Sequence, residues 1–302
     1  MQYIRELEGY QEQKKAAVTL GKFDGLHRGH QKLIDRVRAH ASEEVASVVF
    51  AFDMAPLYER LGKEKKSLMT TRERYEHLEG LTDYLIDCPF TEEISSMEAE
   101  TFIKEVLVGK LHAAYIVVGT DFHFGHEKRG DIHMLRQYAD LYGYELEVVE
   151  KELYQDREIS STYIKEEVRA GRMEMAECLL GYAYAISGIV KHGRKLGRKL
   201  GIPTMNITPE PGKLAPPNGV YACRVRIGEK WYDGIGNLGN KPTVDADGKL
   251  ILEVNVFSFD GETYGEKIKV ELLSFVRPER RFASVEELKS QMEADIATIK
   301  NR

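Results

Sequence analysis

The chain has 302 residues, of which 42% are hydrophobic and 30% are charged, and its formal net charge is −6. This length favours two domains with ordinary apolar cores. The acidic balance argues against a general nucleic-acid binder or a protein of anionic membrane surfaces. No apolar run approaches the ~20 residues that cross a bilayer, and no secretory signal opens the chain.

The three cysteines Cys88, Cys178 and Cys223 are isolated in the sequence. They form neither a Cys-x-x-Cys pair nor an even disulfide framework. We therefore expect inert packing residues in a protein of the reducing cytoplasm.

Strand and helix patterns alternate from residue 16 to about residue 180. The runs that predict strands are Ala16–Leu20, Val45–Phe52, Tyr84–Ile86, Tyr115–Val118 and Glu145–Val149. Helical spacing follows the first strand at Leu33, Ile34 and Val37, and recurs in Thr71–Leu81, Met97–Val108 and Asp131–Tyr142. This alternation predicts a parallel sheet covered on both faces, with ligands at the carboxyl ends of its strands.

A glycine-rich turn, residues 21–30, joins the first strand to the first helix. Gly21, Gly25 and Gly29 permit close approach of backbone to a ligand, and the helix start favours an anion. His27 and His30 stand three residues apart near the first turn of that helix. The arrangement suits charge stabilisation on a phosphate during transfer. The alternative is a loop with two solvated surface histidines.

Two later segments also follow predicted strands. Residues 119–125 read Gly-Thr-Asp-Phe-His-Phe-Gly, and either close the core as an aromatic loop or use Asp121 at a ligand. Ser160 and Ser161 precede a helical pattern that continues through Val168, with Arg157 nearby. The serines either cap the helix or, together with Arg157, hold a pyrophosphate.

The pattern changes near residues 180–185 to short, glycine-punctuated β segments. These are Tyr184–Ile189, Val220–Ile227, Ile251–Phe259 and Lys267–Phe275. Their regular spacing predicts a small barrel or sandwich. A capping box at residues 284–287 then begins a terminal helix. We expect its apolar stripe to pack on the barrel; the stripe consists of Val285, Leu288, Met292, Ile296 and Ile299.

A basic, glycine-punctuated segment, residues 188–201, stands out in this acidic chain. Its basic residues are Lys191, Arg194, Lys195, Arg198 and Lys199, and its glycines are Gly188, Gly193, Gly197 and Gly201. Such a loop is suited to bind polyphosphate, although a charge run alone is usually a solvated surface. Thr204 and Asn206 follow two residues apart and face the same side of an extended segment. Their neutral oxygens suit Mg²⁺ whose other ligands are phosphates and water.

The first half resembles the nucleotidyltransferases that carry a His-x-Gly-His signature. Gly21-x-Phe23-Asp24-Gly25-x-His27-x-Gly29-His30 has the form found in the FAD synthetase half of bacterial bifunctional riboflavin kinase/FAD synthetases. The resemblance implies that His27 and His30 are catalytic and that Gly21, Phe23, Asp24 and Gly25 hold phosphates. It also extends to residues 119–125, where Asp121 would hold the adenine nucleotide, and to Ser160-Ser161-Thr162, where Lys165 replaces the arginine of the family motif.

The second half resembles riboflavin kinases. Pro203-Thr204-Met205-Asn206 is similar to their Pro-Thr-Ala-Asn motif, and Gly219-Val220-Tyr221, Asn237-Leu238-Gly239 and Arg277-Pro278-Glu279 keep the family order. The resemblance implies that Gly188, Lys191, Gly193, Arg194 and Lys199 bind ATP and that Thr204 and Asn206 hold Mg²⁺. It also makes Glu253 the general base, whereas strand alternation alone makes Glu253 a surface charge.

One departure concerns the segment after the second predicted strand. The family usually has Phe-x-Pro-His-Pro there, whereas this chain has Phe52-Asp53-Met54-Ala55-Pro56. The histidine at the nucleotide is therefore absent, which puts the activity of the adenylyl-transfer half in question.

These observations predict an α/β chain with a Rossmann-like nucleotidyltransferase domain over residues 1–182. An antiparallel β-barrel with a terminal helix would follow over residues 183–302. The resemblance implies phosphorylation of riboflavin to FMN by the second domain and adenylylation of FMN to FAD by the first, with ATP and Mg²⁺ and without nucleic-acid or membrane partners. Two alternatives are a riboflavin kinase with an inactive nucleotide-binding domain and a non-catalytic flavin or nucleotide sensor. The sequence leaves a homo-oligomer open.

Overall fold

The computed structural model of the protein describes residues 1–192, 201–241 and 249–300. Within these ranges the chain divides into two compact units, Met1–Ser161 and Thr162–Arg302.

The first unit contains a six-stranded sheet and two short hairpins. The sheet strands are β1 (Gln2–Ile4), β2 (Lys15–Gly21), β3 (Val45–Asp53), β4 (Tyr84–Pro89), β5 (Ala113–Gly119) and β8 (Glu145–Val149); the hairpins are β6 (His123–Phe124) with β7 (Gly130–Asp131) and β9 (Leu153–Tyr154) with β10 (Arg157–Glu158). The helices are α1 (Arg28–His40), α2 (Ala55–Arg60), α3 (Thr71–Leu78), α4 (Glu92–Ser96), α5 (Ala99–Thr101) and α6 (Ile132–Tyr142). The strands and helices predicted for this half are therefore confirmed in type.

The sheet order β1-β4-β3-β2-β5-β8 creates a switch point next to β2. The chain moves outward from β2 to β3 and β4, and then returns to place β5 on the other side of β2. All pairings in this sheet are parallel. Ligands of such sheets bind where the strand order reverses, outside the carboxyl ends of the strands. The turns after β2 and β5 both lie at that position.

The strands of the sheet are buried because apolar side chains on both of its faces pack against helices. One face packs Val18, Phe50 and Ile116 against Phe102 and Ile103. The opposite face packs Ala17 and Val117 against Val37 of α1. Helix α1 thus packs on this face, and the turn at residues 22–27 connects the end of β2 to its start.

Two predicted helices differ in detail from their sequence patterns. The helix expected over Met97–Val108 begins at Ala99 and continues as a π-helix, Phe102–Lys110, in which Leu111 N–H donates to the carbonyl of Val106 at 2.9 Å. The helix expected over Thr71–Leu81 ends at Leu78. Gly80 then adopts a φ of 78°, a conformation that glycine accepts without strain.

The second unit contains α7 from Thr162 onward, α8 and an antiparallel barrel. Helix α7 spans Ser161–Arg169 and α8 spans Met173–Leu180. The strands are β11 (Ala185–Ile189), β12 (Met205–Ile207), β13 (Gly219–Ile227), β14 (Lys230–Lys241), β15 (Lys249–Val256) and β16 (Lys267–Pro278), in the order β11-β16-β13-β14-β15-β12. Lys191, just beyond β11, forms an antiparallel bridge with Asn206 of β12. This bridge brings the two edge strands together, so the barrel is nearly closed.

The terminal helix α9 spans Val285–Lys300. Asp295 on its inner side is buried and receives hydrogen bonds from Arg277 of β16, the shortest at 2.7 Å. The expectation that Val285 belongs to a packed stripe is wrong, because this residue is 49% exposed. Leu288, Met292, Ile296 and Ile299 are half-buried, so the helix is held by an ion pair as well as by apolar contact.

The cysteines differ in burial. Cys88 and Cys223 are buried, in agreement with their expected packing role, whereas Cys178 of α8 is exposed. For Cys178 the expectation of a buried packing residue is therefore wrong.

Candidate active sites

The turn between β2 and α1, residues 22–27, has an unusual backbone. Phe23, Gly25 and Leu26 adopt φ angles of 45°, 95° and 39°. Positive φ is strained for Phe and Leu and natural for Gly. The side chains of Phe23 and Leu26 are fully buried, so packing holds the strained backbone in place. The turn is therefore a rigid feature at the end of β2.

His27 and His30 form a stacked pair at the start of α1. Their ring centroids lie 3.7 Å apart. His27 is the N-cap residue of α1, and its Nδ1 accepts a 3.4 Å hydrogen bond from the backbone N–H of His30. Because Nδ1 is the acceptor, the proton of the neutral His27 ring sits on Nε2. Sequence spacing placed the two residues near each other, and the structure brings their rings into contact.

Both imidazoles are uncharged near neutral pH. Burial lowers the pKa of His27 to about 4, against a smaller opposing effect of Asp24. Burial, His27 and Arg74 together hold the pKa of His30 well below its ordinary value. A neutral imidazole offers one N–H donor. The pair therefore offers N–H donors rather than two positive charges.

Asp24 connects the turn to two other segments. Its carboxylate accepts a 2.7 Å hydrogen bond from the backbone N–H of Leu68. Its backbone carbonyl accepts a 2.7 Å hydrogen bond from the hydroxyl of Ser161, the first residue of α7. The predicted site residues of the β2–α1 turn and Ser161 are thus brought together. Ser160, the residue before, is half-buried.

Asp121 and the Arg157 segment are linked by a lysine that sequence reasoning missed. Lys151 Nζ lies 2.8 Å from Asp121 Oδ2 and 2.6 Å from Glu158 Oε2. Arg157 is exposed beside Glu158 in β10. Burial opposes the charge of Lys151, but the hydrogen bonds that Lys151 donates to the two carboxylates outweigh burial and raise its pKa. No motif marks Lys151, since only the fold places it between two acidic residues.

The loop after β5 is compatible with both interpretations of its sequence, an aromatic loop that closes the core and a ligand role for Asp121. Phe124 is buried, and its ring lies 5.8 Å from that of Phe102 in the core. The side chain of Asp121 is 68% exposed at the same edge of the sheet. The aromatic residues therefore close the core, while Asp121 is accessible to a ligand.

The segment after β3 shows what replaces the missing histidine of the family pattern. Ala55 is exposed, and its backbone N–H donates to the carboxylate of Asp53 at 3.0 Å. The same carboxylate pairs with Lys65 at 2.8 Å. Residues 52–56 contain no histidine, whereas the stacked pair His27 and His30 follows β2, the neighbour of β3 in the sheet.

In the second unit, Glu253 lies in a row of polar residues across the barrel. Directly opposite Glu253 are Asn206 of β12 on one side and Asn237 of β14 on the other. Directly opposite residues of antiparallel strands share one face. Leu252 and Val254, the neighbours of Glu253, are fully buried on the other face. We call Lys191, Asn206, Glu253 and Asn237 the polar row.

The polar row ends where the barrel closes. Lys191 N–H donates to the Asn206 carbonyl at 2.8 Å, and Thr204 is half-buried just before β12. Gly188 lies in β11, where an added Cβ would stand 3.0 Å from the carbonyl oxygen of Thr208 and 3.1 Å from Cβ of Ile207. Close approach of β11 to this segment is thus a packing reason for Gly188, beside its predicted ligand role. The predicted ATP-binding residues Gly193, Arg194 and Lys199 lie outside the described residues.

The two folds and their polar sites define a two-domain transferase that handles nucleotides in separate domains. A family model described as FAD synthetase matches residues 10–163, and one described as riboflavin kinase matches residues 180–302. The chain is 36% identical to the bifunctional riboflavin kinase/FMN adenylyltransferase of Buchnera aphidicola, covering 94% of this chain and 93% of that protein. It is 37% identical to the Bacillus subtilis protein of the same name, covering 94% and 92%. The chain belongs to the bifunctional riboflavin kinase/FMN adenylyltransferase family.

A solved structure agrees with this assignment at the level of the fold. The crystal structure described as a macrolide-efflux protein from Streptococcus pneumoniae has a TM-score of 0.86 and 29% identity. The match covers 99% of this chain and 98% of that one. Within the part of the chain that the structure describes, no helix combines the length and apolarity needed to cross a membrane.

Proposed function

We propose that the first unit joins FMN to the AMP moiety of ATP, and that the second unit phosphorylates riboflavin to FMN with ATP. The family supports both activities. The single observation that carries the adenylyl-transfer assignment is the stacked His27–His30 pair at the start of α1, beside the switch point of the sheet. Donors at that point would bind an α-phosphate and the departing pyrophosphate.

In this proposal the residues around the pair hold the substrate. Backbone at Gly21, Phe23, Asp24 and Gly25 lies against the phosphates, and the hydroxyls of Ser160 and Ser161 add further donors. Asp121 and Arg157 stand at the same edge of the sheet. Transfer is then driven by positioned donors that act on charge developing in the transition state. This route does not require a histidine in the Phe52–Pro56 segment.

In the second unit Glu253 is proposed as the general base. It would accept the proton of the ribityl 5′-hydroxyl as that oxygen attacks the γ-phosphate of ATP. Glu253 is half-buried and lies directly opposite two asparagines, so its carboxylate shares one face of the barrel with two side-chain amides. The proposed ATP-binding residues are Gly188, Lys191, Gly193, Arg194 and Lys199.

Mg²⁺ fits the donors next to Glu253. Among the described residues there is no cluster of three or more His, Cys, Asp or Glu that could hold a metal ion. A magnesium ion that arrives with ATP does not need one, because phosphate and water oxygens supply most of its ligands. The Thr204 hydroxyl and the Asn206 amide oxygen would complete the set, and the bound ion would offset charge on the phosphates.

The proposal extends to boundaries and compartment. We assign residues 1–182 to adenylyl transfer and residues 183–302 to the kinase, and we place the enzyme in the cytoplasm, where ATP is available. Riboflavin, FMN and ATP are its small-molecule partners.

A coupled assay tests the whole proposal. The full chain is incubated with riboflavin, ATP and MgCl₂, and FMN and FAD are both quantified by chromatography. A parallel reaction starts from FMN. We expect FMN to appear first and FAD to follow, with both reactions stopped by a chelator. FMN without FAD would leave a riboflavin kinase only, and tight flavin binding without any product would leave a sensor.

A further inference from the structure

Arg74 of α3 is a buried arginine beneath the β2–α1 turn. Its side chain is 7% exposed and that of its partner Asp87, in β4, is 4% exposed. Arg74 Nη2 lies 2.5 Å from Asp87 Oδ1. Removal of one member of such a pair leaves an uncompensated buried charge, whereas apolar replacement of both members is often tolerated. Burial of the pair alone therefore does not explain why Arg74 is present.

The second contact of Arg74 points to the β2–α1 turn. Nη1 donates a 3.1 Å hydrogen bond to the backbone carbonyl of Lys22. Lys22 is the first residue of the turn and precedes Phe23, whose φ is 45°. A donor on this carbonyl fixes the orientation of the peptide plane at the point where the strained conformation begins. Arg74 thus holds the backbone that leads into the histidine pair.

Two buried polar atoms beside this turn lack a hydrogen-bond partner among the residues that the structure describes. They are Nε of Arg74 and Nδ1 of His30. An unpaired buried polar atom costs stability, and retained costs of this kind are expected at functional sites. The groups that act electrostatically on His30 are His27 and Arg74, and Asp24 acts on His27.

We propose that Arg74 is a positioning residue for adenylyl transfer, which holds the β2–α1 turn and the His30 ring in their working arrangement from beneath the site. This inference rests on the proposed function of the first unit. The competing explanation is a purely structural ion pair between α3 and β4. The two differ in what happens when both charges are removed together.

The test uses the full chain with the double substitution Arg74→Met and Asp87→Leu. This variant removes both buried charges and keeps apolar bulk, so a structural pair predicts a folded protein with normal FAD formation. We expect it to fold but to form FAD from FMN and ATP about 10²-fold more slowly, since a displacement of the site near 1 Å has an effect of that size. Thermal unfolding checks the fold, and riboflavin phosphorylation by the same sample checks the second unit.

The pH profile of FAD formation separates the effect of the Arg74 charge from that of its hydrogen bonds. Arg74 lowers the pKa of His30. Its removal therefore raises that pKa, and the acidic limb of the profile moves to higher pH. Arg74→Lys keeps the charge but not the paired donors, so its acidic limb should stay in place while the rate falls. Arg72→Met is the matched control, because Arg72 is an exposed partner of Glu76 on the same helix.

The outcomes separate the two claims. FAD formation at the wild-type rate with an unshifted profile in the double variant overturns the role of Arg74. Failure of the unsubstituted chain to make FAD overturns the proposed function instead. If the double variant does not fold, Arg74→Lys decides: a slower rate with unchanged thermal unfolding supports the proposal, and a wild-type rate contradicts it.

Discussion

The two candidate sites differ in how each fold exposes its reactive groups. His27 is 6% exposed and stacks on His30 within a turn that packing holds rigid. Glu253 instead lies half-buried on the face of the barrel opposite the core residues Leu252 and Val254. The candidate site of the first unit thus consists of buried neutral imidazoles, and that of the second unit consists of a polar row on one face of the barrel.

This difference follows from the two architectures. A parallel sheet exposes strand ends and helix starts, where backbone N–H groups already favour an anion. A small barrel has no such edge, so its chemistry depends on side chains that alternate with core residues along a strand. Loss of one side chain is therefore expected to affect the barrel site more than the sheet site.

Replacement of Glu253 by Gln is expected to have the largest effect. The amide cannot accept the ribityl proton, so riboflavin phosphorylation should fall by ~10²–10⁴-fold, the usual range for one positioned base. FAD formation from added FMN should not change. Steady-state rates of both half-reactions measure the effect, and Glu229→Gln, at an exposed position, is the control. A variant that retains kinase activity would remove Glu253 from the mechanism.

Replacement of His30 by Asn is expected to have the second-largest effect. Loss of one preorganised donor at developing charge costs ~10²–10³-fold in rate, here in FAD formation only. Both half-reactions are measured as before, and His133→Asn on the exposed side of α6 is the control. Equal losses in FAD formation and riboflavin phosphorylation would contradict the separation of the two sites.

The burial of His27 predicts that the free energy of unfolding depends on pH, an effect smaller than the two losses of activity above. Its pKa is lowered to about 4, whereas an unfolded histidine titrates near 6.5. The unfolded chain therefore binds more protons between these values, and stability falls as the pH drops from 6.5 towards 4, by on the order of 3 kcal/mol in total.

Denaturant unfolding of the wild type and of His27→Asn across this pH range checks that prediction. Asn preserves the N-cap and does not titrate, so the variant should lose less stability on acidification. Identical pH dependence in the two proteins would show that His27 is not buried in solution.

Sequence patterns predicted the elements that depend on local periodicity, and motifs indicated the candidate sites. Buried strands such as Val45–Asp53 and the turn–helix unit at Gly21–His30 are of this kind. The ion pairs of Arg74 with Asp87 and of Lys151 with Asp121 were not predictable, because each joins segments through the packing of helices and loops on the sheet. The π-helix over Phe102–Lys110 was also missed, since its apolar residues are consistent with ordinary helical spacing.

The uncharged state of the two stacked imidazoles affects how nucleotide binding would depend on ionic strength. Hydrogen bonds from neutral rings act over contact distance, whereas attraction between separated charges is screened by dissolved ions over ~10 Å at 0.1 M salt. Nucleotide held by these rings would therefore tolerate added electrolyte. The proposed ATP-binding residues of the second unit, among them Lys191, Arg194 and Lys199, carry full charges, so nucleotide binding by the two halves of one polypeptide would respond differently to the same buffer.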